Sequence, residues 1–229
     1  MGSTDEDAPA EWPTEGMSLY ELTGTGRYHA CLNFGGDEWH GYANGFRLAG
    51  RTLVQHVIDT DRHHDYLVFP IVFNYRQYLE LQMKDLIQTG KALIDEPGGF
   101  EKIHDLDRLW WSCRRILVEV FGETPDGSLA VTDRIIAELA EIDGKSMAFR
   151  YPTDKQGERS LPEDLTRIDL VGFAETIEAV ANMLAAADMG ISVYLENKAE
   201  GLAMAAELEA EVRAEMAAEY RSDVYDEGP

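Results

Sequence analysis

Tyr75-Arg76-Gln77-Tyr78-Leu79-Glu80-Leu81-Gln82-Met83-Lys84-Asp85-Leu86-Ile87 is the stretch on which the fold turns. Leu79, Met83, Leu86 and Ile87 recur at intervals of three and four. Phe69, Val72 and Phe73 continue the same stripe upstream. That is the period of a helix burying one face, and it predicts a long helix from Tyr66 to Ile94. Pro70 belongs in the first turn of such a helix, where its missing N–H costs nothing. Arg76, Glu80 and Lys84 stand at i, i+4 and i+8, so they share one face. The plainest reading of the row is a surface ion-pair ladder. The functional reading is a polar groove whose cations face a partner or a phosphate.

Working outward, helix signals recur on both sides. Asp37 caps a helix from Glu38 to Ile58 through Phe46, Ala49, Leu53 and Val57, and the polar run Asp59 to Asp65 links it to the central helix. Gly98-Gly99 breaks the chain. Asp105 then caps a third helix through Leu106, Leu109, Trp110, Cys113, Leu117 and Phe121. A fourth runs from Leu129 to Ile142 and stops at Gly144. Met147 to Leu161 alternates and then turns, as a small β-hairpin or an ordered loop would. Asp169 caps the last helix, where Gly190 marks a weak point or a close crossing. Beyond Glu196 the chain is Ala/Glu-rich, with a thin stripe of Leu202, Ala205, Leu208, Val212 and Met216. That stretch either projects into solvent or forms half of a dimer contact. Near the start, Tyr28 to Phe34 alternates as a short strand would after the turn at Gly24-Thr25-Gly26. The expected fold is mainly α: an antiparallel bundle of about five helices with a hairpin or ordered loop and a long C-terminal helix. Its expected divisions are an acidic disordered tail at 1–16, a helical domain at 17–195 and an acidic helical extension at 196–229.

Composition bounds the function. A chain of 229 residues with 45% hydrophobic content can bury a core. Its formal charge of −23 opposes a phosphate backbone over most of the surface. RNA is therefore a disfavoured partner, although a local basic groove near Arg114, Arg115 and Arg150 is compatible with that balance. Residues 1–16 hold five acids and no base, and residues 196–229 ten acids against three bases. The acidic start is unlike a targeting signal, and no run of apolar residues suits a membrane span, so the expectation is a cytoplasmic protein without a membrane partner. Cys31 and Cys113 stand alone, which excludes a Cys-x-x-Cys metal site. Phosphate-binding loops, nucleophile elbows and zinc helices are absent as motifs, so no cofactor and no metal is expected.

Three separated stretches resemble the HEPN superfamily of prokaryotic helical domains. Tyr75 to Leu86 is similar to that family's early core helix with its Glu-x-x-x-Lys pair. His104-Asp105-Leu106-Asp107-Arg108-Leu109 is similar to the His-Asp-Leu that opens its next helix, and Phe149-Arg150-Tyr151-Pro152 resembles its Arg-Tyr-Pro element. The order and spacing fit across residues 66–195. Nuclease members carry Arg followed four to six residues later by His, late in the domain. Arg150 is followed there by Lys155, Gln156 and Gly157, and only Arg51 with His56 satisfies the spacing, ahead of the resemblance. The resemblance thus implies a non-catalytic or divergent binding or assembly module, working as a homo-oligomer or with a protein partner. The alternative it implies is a metal-independent endoribonuclease toxin or phage-defence effector with a rearranged site.

The candidate catalytic residues for that alternative are Arg150 and His104. Imidazole titrates near neutrality and can move a proton, while a guanidinium fork can steady a phosphorane. The candidate binding residues are Arg76, Glu80, Lys84, Tyr151 and Trp111. Trp110-Trp111 are adjacent on a helix, so one ring must face the core while the other is free to cover a partner.

Overall fold

A computed structural model of the chain describes residues 12–13, 15, 18–22, 26–32, 38–100, 102–124 and 126–226, with side chains as far as 217. The chain divides into two units, 1–36 and 37–229. In the first, the backbone turns at Gly26, whose carbonyl accepts from His29 N at 3.1 Å. The described part of the expected strand, residues 28–32, is not extended into one, and Tyr28 and Leu32 are exposed. Residues 33–34, most of the expected disordered tail and Gly24-Thr25 lie outside the described residues.

The second unit is helical throughout. It comprises α1 (Glu38–Thr60), α2 (His64–Leu93), α3 (Leu106–Phe121), α4 (Ser128–Asp143) and α5 (Leu170–Asp226). Among the described residues no strand forms, and Met147 to Leu161 is an ordered loop closed by a single antiparallel bridge between Thr153 and Arg159. Helix α2 is the hub, packing against α1, α3 and α5, while α3 also packs on α4. Its buried face carries Ile71, Val72, Tyr75, Tyr78, Leu79, Met83, Leu86 and Ile87. Phe69, expected on that face, is 43% exposed. Pro70 sits at the seventh position of α2, past the first turn, and Asn74 Nδ2 donates to its carbonyl at 2.7 Å.

The caps follow the chemistry of their residues. Asp105 accepts from Arg108 N at 3.1 Å, and Asp169 accepts from Val171 N and Gly172 N. Gly144 ends α4, though with right-handed φ; the left-handed residue follows at Ser146 (φ 59). Gly190 is the site of a close crossing, since a Cβ there would lie 2.9 Å from the ring of Phe121. Phe121 itself is 42% exposed, so its place at the edge of the core differs from the expected interior one.

Helix α5 is continuous for 57 residues, through the expected boundary at 196. By length and composition its segment Leu170–Ala217 is apolar enough to cross a membrane. Within it Ile177, Val180, Ala181, Leu184 and Ile191 are buried in the bundle, while Met189, Val193 and Tyr194 are exposed. Lys198 Nζ marks where the packing ends. It donates to Leu93 O at 2.8 Å, at the C-terminal end of α2, and pairs with Asp95 at 2.7 Å. From 199 to 217 every residue is exposed.

Candidate functional site

The row Arg76-Glu80-Lys84 is not a surface ladder. Arg76 is 0%, Glu80 1% and Lys84 6% exposed, so the row is the polar centre of the bundle. It has that place because α2 is flanked on three sides. Burying three charges is tolerable only when each is paired and hydrogen-bonded, and here each is. Glu80 accepts from Arg76 Nη1 and from Lys84 Nζ at 2.7 Å, while His104 Nδ1 lies 2.8 Å from its Oε1. Arg76 uses its remaining donors on backbone: Nε to Asp143 O at 3.1 Å, and Nη2 to His104 O at 2.5 Å and Gly144 O at 2.9 Å. One guanidinium thereby joins the start of α3 to the end of α4. Burial pushes the Glu80 carboxyl up, but Lys84, Arg76 and His104 outweigh it and hold the group below the usual carboxylate range.

His104 stands at the rim of this hub. Its side chain is 71% exposed although its Nδ1 touches the buried carboxylate. Such an arrangement orients an imidazole and leaves its second nitrogen open to solvent. Asp143 supports the same junction, its Oδ1 accepting from Met147 N at 2.6 Å and Ala148 N at 2.9 Å.

Arg150 lies elsewhere, on the ordered loop after α4. Its guanidinium is 5.5 Å from the centre of the Phe73 ring and 5.4 Å from that of Tyr151. Phe73 and Glu80 are two turns apart on α2, about 10 Å along its axis. The structure therefore brings Arg76, Glu80, Lys84 and His104 together and holds Arg150 with Tyr151 at a separate corner. Trp111 is 53% exposed with Arg114 5.7 Å from its ring centre, while Trp110 is fully buried and donates to Asp133 at 2.8 Å. The division expected of the tryptophan pair holds. A basic groove at Arg114 and Arg115 does not form: Arg114 pairs with Asp133 and Glu123, and Arg115 with Glu96 and Glu119. Arg51 lies 3.9 Å from Glu178, and His56 stacks on His63. Among the described residues no group of three or more His, Cys, Asp or Glu is placed to hold a metal.

The Arg150 corner opens onto cavities. A space of about 330 Å³ is lined by Phe69, Phe149, Arg150, Tyr151, Pro152 and Arg159 among others. It shares Phe69, Phe149, Arg159 and Leu161 with a larger space of about 820 Å³, where Asp61, Asp65 and Asp169 face Arg159 and Arg167. Arg159 was invisible to sequence reasoning; it follows the Gly157 turn with no motif around it. The Glu80–His104 contact was equally hidden, because 24 residues separate its partners.

A second open feature is α5 beyond Lys198. Leu202, Met204, Leu208, Val212 and Met216 are between 47% and 70% exposed there. Five acids, Glu200, Glu207, Glu209, Glu211 and Glu215, surround them with Arg213 as the one base from 199 to 217. Comparison with protein-family models, with curated proteins and with solved structures finds no match to the chain.

Proposed function

We propose that this protein is a non-catalytic, HEPN-like helical module that assembles with a basic protein partner through the projecting half of α5. The observation that carries the reading is the wholly exposed helix from 199 to 217, with its apolar stripe and acidic border. A helix that merely extends the bundle has no use for Leu208, Val212 and Met216 on its surface. Charge selects the occupant. Two such helices side by side would bring acids against acids, whereas a cationic amphipathic helix would find both a seam and counter-charges. The buried hub supports the non-catalytic half of the proposal. Arg76 and Lys84, which share Glu80 with His104, are consumed by that carboxylate and by backbone carbonyls.

The test uses the full chain and a synthetic lysine-rich amphipathic helical peptide. Fluorescence anisotropy should show binding that weakens with salt and is lost on Leu208→Asp/Val212→Asp. Equal binding by a chain truncated after Glu200 refutes the site. A dimer in light scattering that the double variant dissociates refutes the choice of partner.

One observation favours a second reading, the metal-independent endoribonuclease. His104 is a solvent-facing imidazole backed by a buried carboxylate, a suitable general acid–base. RNA cleavage by the purified chain, abolished by His104→Ala, would establish this reading in place of the first.

A further inference from the structure

We infer that the 330 Å³ cavity at the Arg150 corner is a binding site for a small aromatic anion, a ring bearing one carboxylate or phosphate. The inference is independent of the α5 contact and of any chemistry at His104. Three observations meet in it.

The first is charge. In a chain of net charge −23, two cations share this cavity, one of which, Arg159, also lines the larger space with Asp61, Asp65 and Asp169. Among the described residues the ion pairs leave out both Arg150 and Arg159. Arg150 has only a long contact to Ser146 O at 3.5 Å. Among the described residues these two are the only charged ones lining this cavity. The larger neighbouring space carries both signs and lacks that preference. A low-dielectric wall beside two cations concentrates a positive potential that attracts anions.

The second is shape and surface. The rings of Phe69, Phe149 and Tyr151 and the ring of Pro152 form the apolar walls. Phe149 is 5% exposed and makes a rigid floor, whereas Phe69 and Tyr151 remain open at 43% and 47%. The volume lies at the lower end of the range for small-molecule sites, roughly 300 to 1,000 Å³, so one small body fits.

The third is preorganisation. The Arg150 guanidinium rests against the rings of Phe73 and Tyr151, contacts that leave its N–H donors to meet an oxyanion. Arg159 is set by the backbone of a tight loop. Its bridge to Thr153, the bond from Ser160 N to Pro152 O at 3.0 Å and the bond from Asp154 N to Glu158 O at 2.8 Å hold the turn. In that turn Asp154 Oδ1 accepts from the amides of Gln156 and Glu158 at 2.9 Å.

The test titrates the full chain with phenyl phosphate, benzoate, inorganic phosphate and benzyl alcohol, read by calorimetry and by NMR shifts of the aromatic side chains. Phenyl phosphate, benzoate or both should bind with Kd below about 1 mM. The comparison between those two identifies the oxyanion. Arg150→Gln and Arg159→Gln should each weaken that binding about tenfold, the loss of one charge-assisted hydrogen bond of roughly 1.4 kcal/mol. Circular dichroism distinguishes a lost site from a lost fold, and the loop position of Arg159 keeps that variant informative if Arg150→Gln fails to fold. Inorganic phosphate binding as tightly as phenyl phosphate overturns the aromatic component. Benzyl alcohol binding as tightly overturns the charge component. Failure of both aromatic anions to bind below about 10 mM overturns the site.

Discussion

Replacing Arg76 with leucine tests the central physical claim, that a single buried guanidinium holds three helices together. The side chain is fully buried and makes one bond to Glu80 and three to the carbonyls of His104, Asp143 and Gly144. Removing one member of a buried ion pair costs about 3 to 5 kcal/mol. Lys84 and His104 still serve Glu80, so the lower end, about 3 kcal/mol, applies to that part. Each orphaned carbonyl adds about 1 kcal/mol, at the low end because water can enter the vacated space. The expected loss is therefore about 3 to 6 kcal/mol, a large share of the 5 to 15 kcal/mol typical of a folded domain. Guanidinium unfolding followed by circular dichroism, with the slope checked for constancy, measures it. The doubly substituted Arg76→Leu/Glu80→Leu chain should lose less than the sum of its single variants by at least about 1 kcal/mol, since neither partner is left alone. Arg76→Lys should recover little, because an ammonium on a shorter reach cannot meet three carbonyls and a carboxylate together. A loss below about 1 kcal/mol for Arg76→Leu would refute the reasoning.

Five further outcomes follow from particular features of the structure. Glu80 has a folded-state pKa below its unfolded value of about 4.3. Its contribution is thus fully present above that pH and is lost as pH falls through the lower folded value; Glu80→Gln should flatten the acid limb of urea midpoints measured between pH 5 and pH 3. Gly90 faces Ile116, which is 1% exposed and cannot yield, so Gly90→Ala should destabilise by about 1 to 2 kcal/mol despite the better helix propensity. At Gly190 the neighbour is the half-open Phe121 ring, and Gly190→Ala should stay within about 0.5 kcal/mol of neutral in the same denaturant assay. Truncation after Glu200 removes residues whose described side chains, 201 to 217, are all exposed and should shift Tm by less than about 3 °C, whereas Lys198→Ala, which uncaps α2 at Leu93, should lower stability by about 1 kcal/mol in thermal melts.

The helices themselves were legible in the chain because their signals are local. Asp105 and Asp169 are caps whichever way the bundle closes, and the stripe of Leu79, Met83, Leu86 and Ile87 repeats at a period only a helix satisfies. The Trp110-Trp111 split was also readable, since adjacent residues on a helix diverge by about 100°. What sequence could not supply was the number of neighbours each face has. Arg76, Glu80 and Lys84 have the spacing of a surface ladder, and the same spacing serves a buried core once α2 is enclosed by α1, α3 and α5. Whether a charged row is solvated or central depends on elements distant in sequence. The same holds for the contact of His104 with Glu80 and for the cavity that Arg159 shares with Arg150, made by the residue before a cap and by a turn residue with no pattern of their own. Local periodicity and capping chemistry determined the helices; only long-range packing decided which of their charges are structural and which face an open cavity, because desolvation is a property of the assembled neighbourhood.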